Sequence, residues 1–374
     1  MRILIIAGGY PTDRYILNGI FEFDQAKALA KIGHEVYFLS IDIRSIRRIR
    51  RLGTYEIEKE GVLIHNTNFP CGRAPQWIQE VIFRTLLRKQ YSILVKKHGT
   101  PDIIHAHFLD KGYYTVKELK KTGIPIVITE HSSGVTERLI NKTSYKMGRI
   151  TYREVDKLIC VSNALAGQIF HIFGVHAEVV PNIVDVTEFQ FNDEKRKTEG
   201  FTFVSVARLD LLKRILFLID VFADIVKIFT NVQLIIVGDG PEKDHIMEKV
   251  AQYKIKDKVI LKGQQERRII KQIFDQADCF VLPSALETFG VVYIEALASG
   301  LPVIATRCGG PEDFVDESNG LLVEIDNREE LFLAMKKMIE HIKRYDSEKI
   351  SKVAREKFHD IRIAKQLENL YMTM

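Results

Sequence analysis

Short apolar runs alternate with segments of helical period along almost the whole chain, and no other feature narrows the fold as much. Residues 3–7, 36–41, 102–106, 125–129, 157–161 and 178–180 read as strands. Strands alternating with helices predict doubly wound parallel α/β sheets. Residues 21–32 carry a helical period that stops at Gly33, a good C′ residue, and residues 76–97 form a longer amphipathic helix. Residues 54–66 fit a hairpin turning at Lys59-Glu60-Gly61.

A chain of 374 residues exceeds one comfortable core, so two domains are expected. The rhythm breaks at residues 186–200, where a polar, charged stretch ends in Gly200; this segment is read as a linker. A second strand–helix series follows, with strands at 201–206, 232–237, 259–261, 279–281 and 302–305. Two helical segments, 328–345 and 347–374, close the chain. The reading is thus a Rossmann-like domain at 1–185, the linker, a second Rossmann-like domain at 201–345 and C-terminal helices at 346–374.

Hydrophobic content of 46% and charged content of 28% suit a globular enzyme. No apolar run approaches bilayer-spanning length, and the apolar N-terminal run is too short for a signal peptide, so a cytoplasmic protein is expected. Cys71, Cys160, Cys279 and Cys308 are too scattered for metal-ligand spacing, and a net charge of +5 does not call for nucleic acid.

The chemistry concentrates in Glu287-Thr-Phe-Gly-Val-Val-Tyr-Ile-Glu295, two carboxylates eight residues apart around a Phe-Gly that opens a helix. One carboxylate sits at the loop mouth and the other just over two helical turns on, with exposed helix-start amides between them suited to phosphate. A helix-surface salt bridge is the plain alternative for either carboxylate. The continuation Ala-Leu-Ala-Ser-Gly-Leu-Pro-Val and the Gly309-Gly310 turn complete a segment that resembles the signature of the family-4 retaining glycosyltransferases. The resemblance extends along nearly the whole chain. It implies a GT-B fold, two Rossmann-like doubly wound domains facing a central cleft, with the last helix returning to the N-terminal domain.

Ala207-Arg208-Leu-Asp-Leu-Leu-Lys213 places a cation at each end of a strand-to-helix loop, able to fold onto one anion. The resemblance assigns Arg208 and Lys213 to the donor diphosphate; the family's glycine after the lysine is Arg214 here. It assigns Glu295 to ribose hydroxyls, Glu287 to the donor sugar, and the amides of Phe289, Gly290 and Val291 to sugar and phosphate. Val237-Gly238-Asp-Gly240-Pro241 fails as a dinucleotide fingerprint, because Lys243 stands where the third glycine belongs. By resemblance Gly238 and Gly263 lie near the nucleotide, and a structural turn is the alternative for both.

His105 and His107 point the same way from one strand end, where parallel sheets bind ligands. Two histidines invite a metal, yet no third ligand is suggested nearby. The resemblance places His107 against the donor sugar and leaves His105 as buried support. Gly8, Gly9 and Gly19 allow close backbone approach to a ligand. Thr129-Glu130-His131-Ser132 resembles another ligand-facing segment, and Pro181-Asn182 resembles a family turn read chiefly as a hinge.

Residues 43–52 hold five arginines; as a helix, Arg44, Arg47, Arg48 and Arg51 would share one face opposite Ile43, Ile46 and Ile49, with Arg50 intruding on the apolar side. Such a segment suits peripheral contact with an anionic inner membrane face, or an ordinary solvated helix or loop.

The resulting expectation is a hexosyl or N-acetylhexosaminyl transferase that retains anomeric configuration. Its donor is a nucleotide diphosphosugar (UDP-sugar first, GDP-sugar second), its acceptor a glycan or polyprenyl-lipid-linked molecule, and it requires no metal or cofactor. A sugar-nucleotide epimerase or phosphorylase of the same architecture is the alternative, followed by a non-catalytic partner subunit.

Overall fold

Packing an apolar strand between two layers of helix buries both its faces, and β1 (Arg2–Ala7) shows the result, with Ile3 to Ala7 fully buried. The computed structural model describes residues 1–374 except 13, 16, 17, 45, 46, 48 and 193–199. After β1 come α1 (Ile20–Lys31), β2 (Glu35–Ile43), β3 (Gly53–Lys59), β4 (Val62–Phe69), α2 (Gln76–His98) and β5 (Ile103–His107). Then follow α3 (Leu109–Leu119), β6 (Ile126–Glu130), α4 (Lys142–Glu154), β7 (Lys157–Cys160), α5 (Asn163–Phe173) and the short β8 (Glu178–Val179). Asn141 and Ser162 cap α4 and α5, each side chain accepting a first-turn amide, and Gly174 ends α5 at φ 67°.

The second series is β9 (Phe201–Val206), α6 (Ile215–Ile228), β10 (Val232–Val237), α7 (Lys243–Gln252), β11 (Val259–Leu261), α8 (Arg267–Phe274) and β12 (Cys279–Leu282). It continues through α9 (Val291–Ala298), β13 (Val303–Thr306), β14 (Gly320–Val323), α10 (Arg328–His341), α11 (Ser347–Phe358) and α12 (Asp360–Met372).

The chain divides into two units, Met1–Ile183 with Asp360–Met374, and Val184–His359. In the first, eight strands run in the order β3-β4-β2-β1-β5-β6-β7-β8, parallel throughout except for the β3–β4 hairpin. Glu60 and Gly61 turn that hairpin with φ 53° and 76°, the pair of positive values a tight two-residue turn needs. The core on one side of the sheet joins Phe23, Ala26 and Leu29 of α1 to Ile363, Ala364, Leu367 and Tyr371 of α12. In the second unit six parallel strands run β11-β10-β9-β12-β13-β14 over a core that includes Phe203, Phe222, Phe280 and Tyr293.

Three sequence readings change. The closing segment 347–374 is two helices, because Phe358 is buried against Phe289 and Phe314 while His359 takes an extended conformation (φ −61°, ψ 137°). Val186 and Phe189, inside the segment assigned to the linker, are buried, with Phe189 lying 6.0 Å from the Phe274 ring. Residues 193–199 of that segment lie outside the described residues.

The basic segment 43–52 holds no helix among its described residues: Ile43 ends β2, and residues 44, 47 and 49–52 are turn or irregular. Ile46 and Arg48 lie outside the described residues. Arg50 does not face an apolar surface. It is buried against the Asp42 carboxylate of β2, which also accepts from Arg44 Nε at 2.8 Å.

Candidate active site

In the second unit β9 lies between β10 and β12, so the loops leaving β9 and β12 flank the point where strand order reverses. Open α/β sheets bind ligands at such points. The Ala285 amide donates to the Leu212 carbonyl at 2.7 Å and ties the two loops together. Across this tie Lys213 Nζ donates to Glu287 Oε1 at 2.7 Å, and Ser284 Oγ donates to the same oxygen at 2.9 Å. Both ends of the ion pair are mostly buried. Arg214, standing at the position of the family's glycine, takes the left-handed conformation at φ 54°, and its guanidinium donates to Asp326 at 2.9 Å.

Arg208, at the other end of the loop, is 74% exposed and stands 3.8 Å from Asp210 Oδ2. The two cations expected to close on one anion therefore differ: Lys213 is committed to Glu287, and Arg208 extends into solvent.

Phe289 is buried, and Gly290 opens α9 at φ 96° with no side chain capping the first-turn amides, including that of Val291. Uncapped helix-start amides form an anion-binding end. Glu295, farther along α9, is 7% exposed and accepts from Arg267 Nη2 at 2.8 Å. Burial pushes its carboxyl above the ordinary range while Arg267 pulls it back. The Arg267 guanidinium also lies over the Phe189 ring at 5.8 Å. Gly238 (φ 142°) serves close packing, since a Cβ there would fall 1.8 Å from the Ala207 carbonyl oxygen, and its amide donates to the Gly263 carbonyl at 2.8 Å. Gly263 itself (φ 66°) faces open space.

In the first unit the equivalent reversal lies between β1 and β5. Gly19, the first residue before α1, presses on the loop after β1: a Cβ there would fall 2.2 Å from the Gly9 carbonyl oxygen. His105 and His107 at the end of β5 are fully buried, with rings stacked at 4.7 Å and 13°. His105 is bonded on both nitrogens: Nδ1 meets Gln25 Nε2 (3.0 Å) and the Tyr371 hydroxyl (2.6 Å), and Nε2 meets Thr129 Oγ1 (2.7 Å). Both of its nitrogens are thus satisfied within the protein.

His107 is different. Its Nδ1 meets His131 Nε2 at 2.8 Å, while its own Nε2 is buried without a hydrogen-bond partner. Burial holds His107 well below the ordinary histidine range and brings His105 and His131 down to about 3, so all three rings are neutral. Phe21 stacks on His131 at 5.9 Å, and Phe108 packs on it at 4.9 Å. Phe108 holds φ 67° and ψ 150°, a region costly for a bulky residue, with its amide donating to the Thr129 carbonyl. Glu130 fixes the His131 loop by accepting from the amides of His131 (3.0 Å) and Ser132 (2.8 Å) and from the Tyr152 hydroxyl (2.6 Å). Burial raises its carboxyl to about 7. His107 bonds His131, His105 stacks on His107 and bonds its own supports, and among the described residues no His, Cys, Asp or Glu group is arranged to hold a metal.

Sequence reasoning placed His131 in a ligand-facing segment without singling it out, and left Arg267 without a role. His131 stands two residues beyond Thr129, which pairs with His107 across β5 and β6, so the signal was a second histidine at the end of a neighbouring strand. Arg267 carried no motif.

The model for glycosyl transferases group 1 matches residues 186–357, and that for glycosyltransferase family 4 matches residues 23–188. The chain belongs to the group 1, family-4 glycosyltransferases. A Bacillus subtilis protein named as a putative teichuronic acid biosynthesis glycosyltransferase, TuaC, is 28% identical over 94% of this chain and 91% of its own. The N-acetyl-alpha-D-glucosaminyl L-malate synthase of Bacillus anthracis is 24% identical over 95% of this glycosyltransferase and 93% of its own chain. HepE from Anabaena, solved with UDP and glucose, superposes with a TM-score of 0.75 at 18% identity over 100% of both chains. Sucrose-phosphate synthase from Thermosynechococcus elongatus reaches 0.79 at 21% identity, covering 100% of this chain and 98% of that one. The fold is GT-B.

Proposed function

We propose that this glycosyltransferase moves a hexosyl or N-acetylhexosaminyl unit, with retention, from a nucleotide diphosphosugar to a glycan or lipid-linked acceptor of the cell surface. The observation that carries the reading is the Lys213–Glu287 pair at the sheet's reversal point. A ligand phosphate entering there meets a desolvated ammonium and the uncapped start of α9. Charge accumulates on the diphosphate as the glycosidic bond breaks, so a fixed cation stabilises the transition state more than the ground state. Lys213 takes that role, and Arg208 swings in from solvent to share it. Glu287, bonded to Lys213 and Ser284, holds the ammonium in place and faces the donor sugar. Glu295 accepts the ribose hydroxyls, with Arg267 keeping its buried carboxylate ionised. Phe289, Gly290 and Val291 supply backbone amides, Gly238 and Gly263 shape the nucleotide side, and Gly19 shapes the loop beside His107. His107 contacts the sugar.

A UDP-sugar is the first choice of donor, supported by UDP in HepE and by the N-acetylglucosaminyl unit in the name of the Bacillus anthracis relative. The names of the teichuronic acid and malate relatives support a polar, anionic acceptor. Work at the inner membrane face fits the exposed Ile49 and Leu52 beside Arg51, and no described helix is long and apolar enough to cross a bilayer. Binding to anionic vesicles should fall when Ile49 and Leu52 become Ser; unchanged binding removes the membrane contact.

A thermal-shift panel of UDP-, GDP- and TDP-sugars tests the donor, since a ligand of the native state raises the transition. No shift with any of them refutes the reading. NMR of the product then reports the anomeric configuration, and an inverted product contradicts retention.

A further inference from the structure

A hollow beside α11, in the second unit, belongs to no part of the chemistry described so far. α11 carries two neighbouring ridges of residues four apart. Ile350, Ala354 and Phe358 are buried, while Lys349, Val353 and Lys357 run beside them at the surface. Alanine between two large residues of the inner ridge leaves room for a pocket of about 160 Å³, which Leu297 of α9 and Phe314 also line. An apolar cavity of about 150 Å³ takes a benzene ring, so this one holds a single ring or a branched alkyl group.

The rim of the pocket is cationic. Arg344, Lys349 and Lys357 stand around it against one carboxylate in the lining, Asp346. Asp346 is occupied as the cap of α11, its side chain accepting from the Lys349 amide at 3.0 Å. Asp316, two residues before Ser318 of the rim, is held by the Ser318 amide (2.8 Å) and hydroxyl (2.6 Å), and Glu317 lies outside the lining. Lys357 Nζ donates to a carbonyl oxygen, that of Asp313, at 2.9 Å. Among the described residues none of the three cations forms an ion pair with a carboxylate. Like charges around one opening repel, and an anion placed among them relieves the repulsion. The planar guanidinium of Arg344 suits two oxygens of a phosphate or carboxylate.

The pocket also bears on α9. Leu297 lies in the last turn of α9, and Ser351 of α11 donates to the Ala298 carbonyl at 2.5 Å. Toward the start of α9, the rings of Phe314 and Phe358 stand 5.8 Å apart, at 6.0 and 5.8 Å from Phe289, the residue before the Gly290 turn. A group wedged against Phe314 and Phe358 therefore orders the same turn that a phosphate at the start of α9 must order. Two ligands that order one element favour each other.

We propose that this pocket is a second ligand site, for a small organic anion whose apolar body is the size of one ring, and that filling it tightens nucleotide binding at α9. The tightening rests on the donor reading above; the pocket does not.

The experiment is a titration of the full chain with 4-fluorophenyl phosphate, read by fluorine-19 NMR of the probe and methyl NMR of the protein. In the wild type the methyl signals of Leu297, Ile350, Val353 and Ala354 should move as the probe binds. Inorganic phosphate and 4-fluorobenzyl alcohol, each with half of the chemistry, should bind at least about tenfold more weakly. Arg344→Gln/Lys349→Gln and Val353→Asp, changes at exposed positions, should each weaken the probe about tenfold. In Lys213→Ala the four methyl shifts should persist, which separates this pocket from the donor site. Methyl signals that stay still in the wild type overturn the site without reference to any variant, and so does a probe affinity that both rim variants retain. Equal binding of phosphate or of the alcohol overturns the ligand class. Calorimetry with the nucleoside diphosphate that the thermal-shift panel selects reads the coupling: saturating probe should tighten it about fivefold in the wild type and not in Arg344→Gln/Lys349→Gln. An affinity that the probe leaves unchanged or weakens overturns the coupling. Binding of no nucleoside diphosphate contradicts the donor reading and the coupling with it, while the methyl shifts still decide the pocket.

Discussion

The two reversal points of this protein are built from opposite materials. In the first unit the site is neutral: three buried histidines are held uncharged by burial, His107 bonding His131 while His105 stacks on His107 and bonds Gln25, Thr129 and Tyr371. In the second it is ionic, with Lys213 against Glu287 and Arg267 against Glu295. A neutral network fixes direction and costs little to bury once satisfied. An ion pair fixes charge, and its cation can be shared with an incoming anion. Each unit also holds a non-glycine residue at positive φ beside its site, Phe108 (φ 67°) and Arg214 (φ 54°). In the proposed function this difference gives the orientation of hydroxyls to the first unit and the binding of phosphate to the second.

Removing the ammonium should cause the largest change. Lys213→Ala is expected to lower kcat roughly a hundredfold or more while the melting temperature holds, as for loss of a transition-state charge partner. Near-normal turnover would erase the contrast between the two sites. Glu295→Gln is next: the affinity for nucleoside diphosphate should drop about tenfold, the worth of a hydrogen bond to a charged group. Calorimetry decides, and unchanged affinity would leave Glu295 a structural partner of Arg267.

The neutral site is tested by acid. Histidines whose folded pKa is depressed stabilise the fold above their ordinary value of 6.5, and that stability is lost as pH falls toward about 3. Glu22 and Glu130, raised by burial to about 7, act with opposite sign, their contribution being full at low pH and lost as pH rises through 7. The two sets offset each other, so a variant shows the effect better than the wild type. His131→Gln removes one histidine that must stay neutral, and between pH 7 and 5.5 it should lose about 1 kcal/mol less stability than wild type in denaturant titrations. An equal loss would mean that His131 is charged or exposed. The smallest effect belongs to Arg214. Both Arg214→Ala and Arg214→Gly lose the Asp326 contact, but alanine keeps the left-handed strain, so it should be less stable than glycine by about 1 kcal/mol. Equal stabilities would mean that the loop relaxes.

The fold was legible because β1, β5, β9 and β12 are short apolar runs between helices, and that period survives without tertiary information. Lys213, Glu287 and Glu295 were legible because their motif is local, spanning a loop or one helix. Their partners were not. His131 reaches His107 only because β6 pairs with β5, and Arg267 reaches Glu295 only because the fold brings the first residue of α8 to α9, and neither fact is written in a local pattern. The arginines of residues 43–52 mimicked a helical face, whereas Arg44 and Arg50 are drawn to Asp42 at the end of β2. β14 was missed because Gly320-Leu-Leu-Val323 is short and lies at the sheet edge. The break at His359 was hidden inside a continuous helical period; burial of Phe358 overrides it.

Calorimetric titration of UDP, GDP and TDP into wild type and Lys213→Ala tests the central claim most directly. The account predicts that at least one of the three binds the wild type and binds the variant at least about tenfold more weakly, as loss of a charged phosphate contact requires. Heat from none of them, or an affinity that the variant retains in full, would contradict it.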